Sequence, residues 1–285
     1  MLKKLYFLCL CSSILMAHAI TNDIYDSLGN VGAPYPFSCR SKAGQLLEVI
    51  GTCHTSNRNH SQYSTIDTRW KAFLQQTNNK PVTIIEAAFP ARYNSPESAL
   101  QAANDCGYAN WLSSHNNVPV VAGELTHGQI VRQLISEFGK EMGYYFAFAQ
   151  AMDFVTRTNN FSESSVLSMV QSWTGDSSIT FDQLKKLHLD FTSSPFSPSA
   201  TFFFNLMNIG HHTSLTRSLL YSFSVPKSIL AKFYPILRRS HQIRDQHLLQ
   251  VITNQWKQGK NIFMIYGSMH AAALKKSLQN LTKTS

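Results

Sequence analysis

Two hydrophobic patterns divide the chain. Short apolar runs of strand length occur at Leu46 to Ile50, Val82 to Ile85, Val118 to Ala122 and "NIFMIYG", and each is bounded by Gly, Pro or polar residues. They predict four strands. Between the first three lie "IDTRWKAFLQQ" and "NSPESALQAANDCGYANWLSSH", whose apolar residues recur at helical spacing. The second carries its own helix start, with Ser95 as cap, Pro96 in the first turn and Glu97 beside the positive end of the dipole. Residues 20 to 45, with "GNVGAPYPF", read as a turn-rich lead-in.

From about Gln129 the pattern becomes helical and aromatic. "GQIVRQLISEFGKEMGYYFAFAQAMDFV" predicts a long helix interrupted near Gly139 or Gly143, and "SESSVLSMVQSW", "TFDQLKKLH" and "SATFFFNLMNIG" predict further helices. Thr180 and Gln183 fit a capping box. The helical stretch "KSILAKFYPILRRSHQIRDQHLLQVITNQWKQ" stops at Gly259, the fourth strand follows, and "AAALKKSLQNL" closes the chain as a helix. A β-α-β-α-β start, a helical insertion over about 129–236 and an α-β-α finish predict an α/β (α+β) fold. Its central, mainly parallel sheet is formed from both chain ends and buried on both faces.

Every predicted strand delivers a residue able to bind a metal or move a proton: His54, Glu86, Glu124 and His270, in chain order. Open α/β sheets collect ligands beyond the carboxyl ends of their strands, so four such arrivals predict one site. Imidazole and carboxylate suit zinc, manganese or cobalt, and a spare glutamate suits a general base. Gly51 and Gly267, each three residues before a histidine, read as points where the chain turns sharply off its strand. Singly, each piece has a plainer reading: a lone His54 is more often structural, and Glu86 or Glu124 alone is a helix cap. Their recurrence at strand ends favours a site. Cys53 and Ser268 are poor nucleophile candidates, the first because adjacent side chains on an extended backbone point apart, the second for want of a G-x-S-x-G elbow. Arg244, on the helix before the fourth strand, suits a clamp for carboxylate or developing negative charge.

Length and charge narrow this little further. The 285 residues are 44% apolar, enough for one large domain over 20–285. Lys3 and Lys4, the apolar run to Met16 and Ala17-His18-Ala19 predict a signal peptide over 1–19, and hence a periplasmic or secreted protein. No segment reaches a spanning length, so no membrane span is expected. The formal charge of +9 is scattered rather than striped with aromatics, which argues against nucleic acid as a partner. A peptide or small-molecule substrate is expected instead. Downstream of Ala19 stand Cys39, Cys53 and Cys106. Cys53 lies in the Gly-x-x-His turn, where space should be tight, so the expected disulfide joins Cys39 to Cys106.

"VIGTCH" and "IYGSMH", with "VTIIEAAF" between them and "RDQHL" before the last strand, resemble the Tiki/TraB/PrgY/GumN superfamily, whose wider relatives are erythromycin-esterase-like hydrolases and ChaN-type haem-binding lipoproteins. The likeness covers both ends of the chain and little of the insertion. It implies a metal-dependent hydrolase of peptide or ester bonds. His54, His270 and Glu86 would be metal ligands, Glu86 and Glu124 catalytic carboxylates, and Arg244 with Asp245 the family's arginine motif. Thr55 and Ala87-Ala88 depart from the usual pattern, and "GELTH" leans towards the esterase-like branch. A metal-free His/Glu esterase and a haem-binding protein stand as the alternatives.

Overall fold

The computed structural model describes residues 28, 31–77, 80–157, 161–192 and 227–283. The signal-peptide segment and the helix predicted around Ala200 lie outside the described residues. The chain divides into two compact units, cut between Glu124 and Leu125 and again between Arg244 and Asp245. The insertion is thus wider at both ends than the 129–236 expected from the pattern, and it is a compact unit of its own.

The first unit is a five-stranded sheet between helices. Its strands are β1 (Tyr35–Arg40), β2 (Leu46–Thr52), β3 (Pro81–Ile85), β4 (Val120–Ala122) and β5 (Asn261–Gly267), in the spatial order β1-β2-β5-β3-β4. All neighbours pair in parallel except β1, which is antiparallel to β2. The strand from the end of the chain therefore inserts between the two from its start. Helices α1 (Ser61–Gln76) and α2 (Pro96–His115) cover one face. There Tyr63, Ile66, Trp70 and Phe73 pack on Ile50, Phe263 and Ile265. The opposite face lies under α8 (Ser268–Lys283) and residues 248–256, where Leu47, Val49, Met264 and Tyr266 meet Leu248, Ile252, Leu274 and Leu278. Alternate residues of β5 thus serve alternate faces, as the two-residue period of a strand requires.

The strand β1 was hidden in the predicted lead-in. Its sequence, YPFSCR, contains Pro36 and buries only Phe37 and Cys39. Proline removes a ladder donor, which an edge strand tolerates and an inner one does not. Glu48 is a second departure from the apolar rule. It is buried on β2, accepts a hydrogen bond from Ser38 Oγ at 2.5 Å and pairs with Arg69 at 3.3 Å.

The second unit holds α3 (His127–Phe138), α4 (Lys140–Arg157), α5 (Glu163–Thr174) and α6 (Phe181–Thr192), together with the part of α7 (Lys227–Lys257) before Asp245. The interruption of the long helical signal falls at Gly139, whose φ of +86° caps α3. Gly143 serves packing instead. A Cβ there would come within 2.3 Å of Ile135 Cγ1, so the missing side chain lets α3 and α4 close on each other. Thr180 and Gln183 form the expected reciprocal cap. Tyr145, Phe146 and Phe148 of the "YYFAF" stretch are all buried, against Val166, Phe181, Leu184 and Phe233 among others. Those rings are core. No helix among the described residues is long and apolar enough to cross a membrane.

The expected disulfide between Cys39 and Cys106 does not form; both are buried thiols. Cys39 sits on β1 in the layer covered by α8, beside Thr282, whereas Cys106 lies on α2 across the sheet. A disulfide needs Cα atoms within about 7 Å, and the sheet stands between these two. The elimination failed at its premise, because Cys53 is exposed rather than cramped.

Candidate active site

Because β2, β3, β4 and β5 run parallel, their carboxyl ends share one edge, and Thr52 stands directly opposite Gly267. The two Gly-x-x-His turns therefore meet, and each glycine is explained by the other motif. A Cβ on Gly51 would lie 2.7 Å from Ser268 Cα and 3.2 Å from Ala271 Cβ. A Cβ on Gly267 would lie 3.1 Å from His54 Nε2, 3.2 Å from Glu86 Oε2 and 3.7 Å from His270 Cδ2. Neither glycine has a positive φ. The turn-making role read from the sequence is replaced by close approach: a larger residue would push the converging groups apart.

The positive φ belongs instead to His54, at +51°. A left-handed backbone on a non-glycine residue is uncommon and must be held by its surroundings. Here the loop is tied on both sides. Cys53 donates its N–H to Gln62 Oε1 at 3.1 Å, and Tyr63 Oη donates to the Thr55 carbonyl. His270 lies in the first turn of α8, which begins earlier than the predicted closing helix. Gly267 immediately precedes that turn and donates its N–H to Glu86 Oε2 at 2.6 Å. The Glu86 carboxylate thus sits on the positive end of α8, where an anion is stabilised.

Both rings are oriented by a carboxylate at Nδ1. Asp245 Oδ1 lies 2.6 Å from His270 Nδ1, and Asp105 Oδ1 lies 3.1 Å from His54 Nδ1. Both aspartates are completely buried. His54 Nε2 faces Glu86 Oε2 at 3.2 Å, so that ring spans two carboxylates. The charge of Glu86, more than any other neighbour, holds the His54 pKa well above its ordinary value, with hydrogen bonds to Asp105 and Cys106 acting the same way against burial. The raised pKa favours the protonated ring. Burial pushes the Asp245 carboxyl up, and His270 pulls it back. Burial, then the Asp105 charge, pushes the Cys106 thiol up to about 12.

Of the sequence candidates, His54, Glu86 and His270 come together around Gly267. Glu124 is one strand further out: its N–H donates to the Ala87 carbonyl at 3.4 Å, and its charge acts on His247. Arg244 belongs to the second unit, where its charge helps lower the His127 pKa after burial. Asp105 was not anticipated, since no motif marks it. Its one trace in the sequence is a charge among the small residues of "AANDCGYAN".

Two donor sets share His54. On its Nδ1 side, Asp105 and Cys106 offer atoms within 4.8 Å of one another. That set is a hydrogen-bond network: Asp105 Oδ1 faces His54, Oδ2 accepts from Thr52 at 2.6 Å and from Cys106 at 3.6 Å, and the thiol stays protonated. On the Nε2 side, His54 Nε2, Glu86 Oε2 and the Cδ2 edge of the His270 ring lie around Gly267, and the Nδ1 of each ring is held by a carboxylate. Imidazole nitrogen and carboxylate oxygen are the donors a catalytic divalent site uses, with the other ring nitrogen tied to a carboxylate. With His54 Nε2 at 3.1 Å and His270 Cδ2 at 3.7 Å from one point beside Gly267, the two rings lie inside the separation of about 10 Å beyond which a shared ion is excluded.

Comparison with protein-family models, with curated proteins and with solved structures gives no significant match for the chain.

Proposed function

We propose that the protein is an exported, metal-dependent hydrolase of the Tiki/TraB type, acting on a peptide or ester bond. The observation that carries this is the meeting of His54, Glu86 and His270, from three strand ends, around Gly267. His54 Nε2, His270 Nε2 and a Glu86 oxygen would hold a divalent cation, zinc, manganese or cobalt. Bound there, such a cation would polarise the scissile carbonyl and lower the pKa of an attacking water. The half-exposed His54, at 44%, marks the side on which substrate arrives, whereas His270, at 3%, is the inner anchor. Glu86 Oε2, 3.2 Å from His54 Nε2, raises the pKa of that ring in the metal-free protein.

The metal-free esterase is the weaker reading for a physical reason. A general base must be unprotonated, and the Glu86 charge, with the hydrogen bond to Asp105, raises the His54 pKa and so works against that form. The deciding experiment is turnover of a peptide and ester panel by the protein stripped with chelator and reloaded with Zn²⁺, Mn²⁺ or Co²⁺. Turnover that requires the ion, and is lost in His54→Ala and His270→Ala, is the expected result. Undiminished turnover after chelation sinks the metal-dependent reading. Export predicts a mature chain whose first residue is Ile20, checked by N-terminal sequencing of the native protein.

A further inference from the structure

We infer that Asp105 is the positioning residue that fixes the proton of the His54 ring on Nδ1 and so turns Nε2 towards Glu86, a role that rests on His54 acting as a ligand. The local structure accepts several costs to place this carboxylate. The α2 helix breaks immediately before it, with Ala103 at φ −150° and Asn104 at φ +49°. Gly107 permits the break, since a Cβ there would fall 2.1 Å from the Ala99 carbonyl oxygen. An unpartnered buried carboxylate would cost several kcal/mol, so packing alone would select an apolar residue. What the break achieves is aim: the second half of α2 opens with Asp105 directed at Nδ1.

The carboxylate is also kept from rotating. Thr52 lies on β2 two positions before His54, is buried, and donates its hydroxyl to Asp105 Oδ2 at 2.6 Å. Thr52 from the strand and Cys106 from the helix therefore both hold Oδ2, and Oδ1 faces His54. As an acceptor only, that oxygen requires a proton on Nδ1. The same logic joins Asp245 to His270, so the two rings present equivalent nitrogens although they stand on unrelated elements.

Asp105→Asn tests this because it keeps shape and changes the proton count. Thr52 continues to donate to the amide oxygen, the NH₂ faces Nδ1, and the ring proton moves to Nε2, opposite Glu86. Long-range ¹⁵N–¹H spectra of histidine-labelled, metal-free protein, at a pH where the ring is neutral, should show Nδ1–H in the wild type and Nε2–H in Asp105→Asn. A merely structural role would not move this signature. Mn²⁺ affinity by equilibrium dialysis should fall about 10–100-fold in the variant. An unchanged tautomer with Mn²⁺ affinity within about twofold of wild type overturns the inference. Should Asp105→Asn fail to fold, Thr52→Val decides: it leaves Asp105 in place but loosens it. A mixed tautomer and about tenfold weaker Mn²⁺ binding support the role, and wild-type values overturn it. Wild-type protein that binds none of the ions overturns the proposed function, and the tautomer spectra then decide the role of Asp105 alone.

Discussion

The two Gly-x-x-His turns are near copies in sequence and opposites in structure. His54 lies in a loop with a left-handed backbone, its side chain 44% exposed, and its partner Asp105 is shared with Thr52 and Cys106. His270 lies in a helical first turn, its side chain 3% exposed, and Asp245 faces it at 2.6 Å. A repeated motif need not mean a repeated role. What the turns share is a ring nitrogen fixed by a buried carboxylate. The strained copy is open to solvent, and the other is sealed from it.

The sharpest way to break this contrast is to delete each ring. His270→Ala strands Asp245, whose Oδ2 accepts no hydrogen bond among the described residues, and should cost about 3–5 kcal/mol of unfolding free energy in urea melts. His54→Ala should cost distinctly less, because Asp105 keeps the Thr52 and Cys106 donors. Equal losses would show that the two rings are not anchor and working group. The glycines come next. Gly51→Ala drives a Cβ to 2.7 Å from backbone at Ser268 and should destabilise by about 1–3 kcal/mol. Gly267→Ala meets side chains that can yield, at 3.1 and 3.2 Å, so its main effect should be on Mn²⁺ binding, with the melting curve little changed. The reverse ranking would place the strain elsewhere.

A smaller effect concerns pH. The His54 pKa is raised in the folded state, chiefly by Glu86, so between the unfolded value near 6.5 and the raised one the folded protein binds the extra proton. Its stabilisation is complete below the unfolded pKa and lost as pH rises through the folded pKa. The melting temperature of metal-free wild type should therefore fall over that alkaline interval, more steeply than that of His54→Gln. Parallel curves would remove Glu86 as the cause. The smallest effect is at the thiols: alkylation without reductant should label Cys39 and Cys106 once the chain is unfolded, and reductant should leave the melting temperature unchanged.

Much of the first unit was legible because its strands are apolar on both faces and end in abrupt changes of pattern. Those boundaries located His54, Glu86 and His270 without knowledge of which strands are neighbours. Where the pattern weakens, legibility fails. Phe37 and Cys39 are too few buried residues to announce β1, and Pro36 argues against it. Asp105 lies in a helix whose break at Ala103 and Asn104 has no Pro to signal it. The disulfide was misjudged because one-dimensional spacing does not say on which side of a sheet a cysteine stands.

By itself, the sequence determined strands β2 to β5, the helical character of the insertion and the three groups at the strand ends, since local periodicity and turn chemistry act over a few residues. Only the tertiary structure decided that β5 inserts beside β2, that Gly267 makes room for His54 and Gly51 for the start of α8, and that Asp105 and Asp245 hold matching ring nitrogens. Those are contacts between residues far apart in the chain, and only the packing of the sheet against its helices brings them within hydrogen-bonding distance.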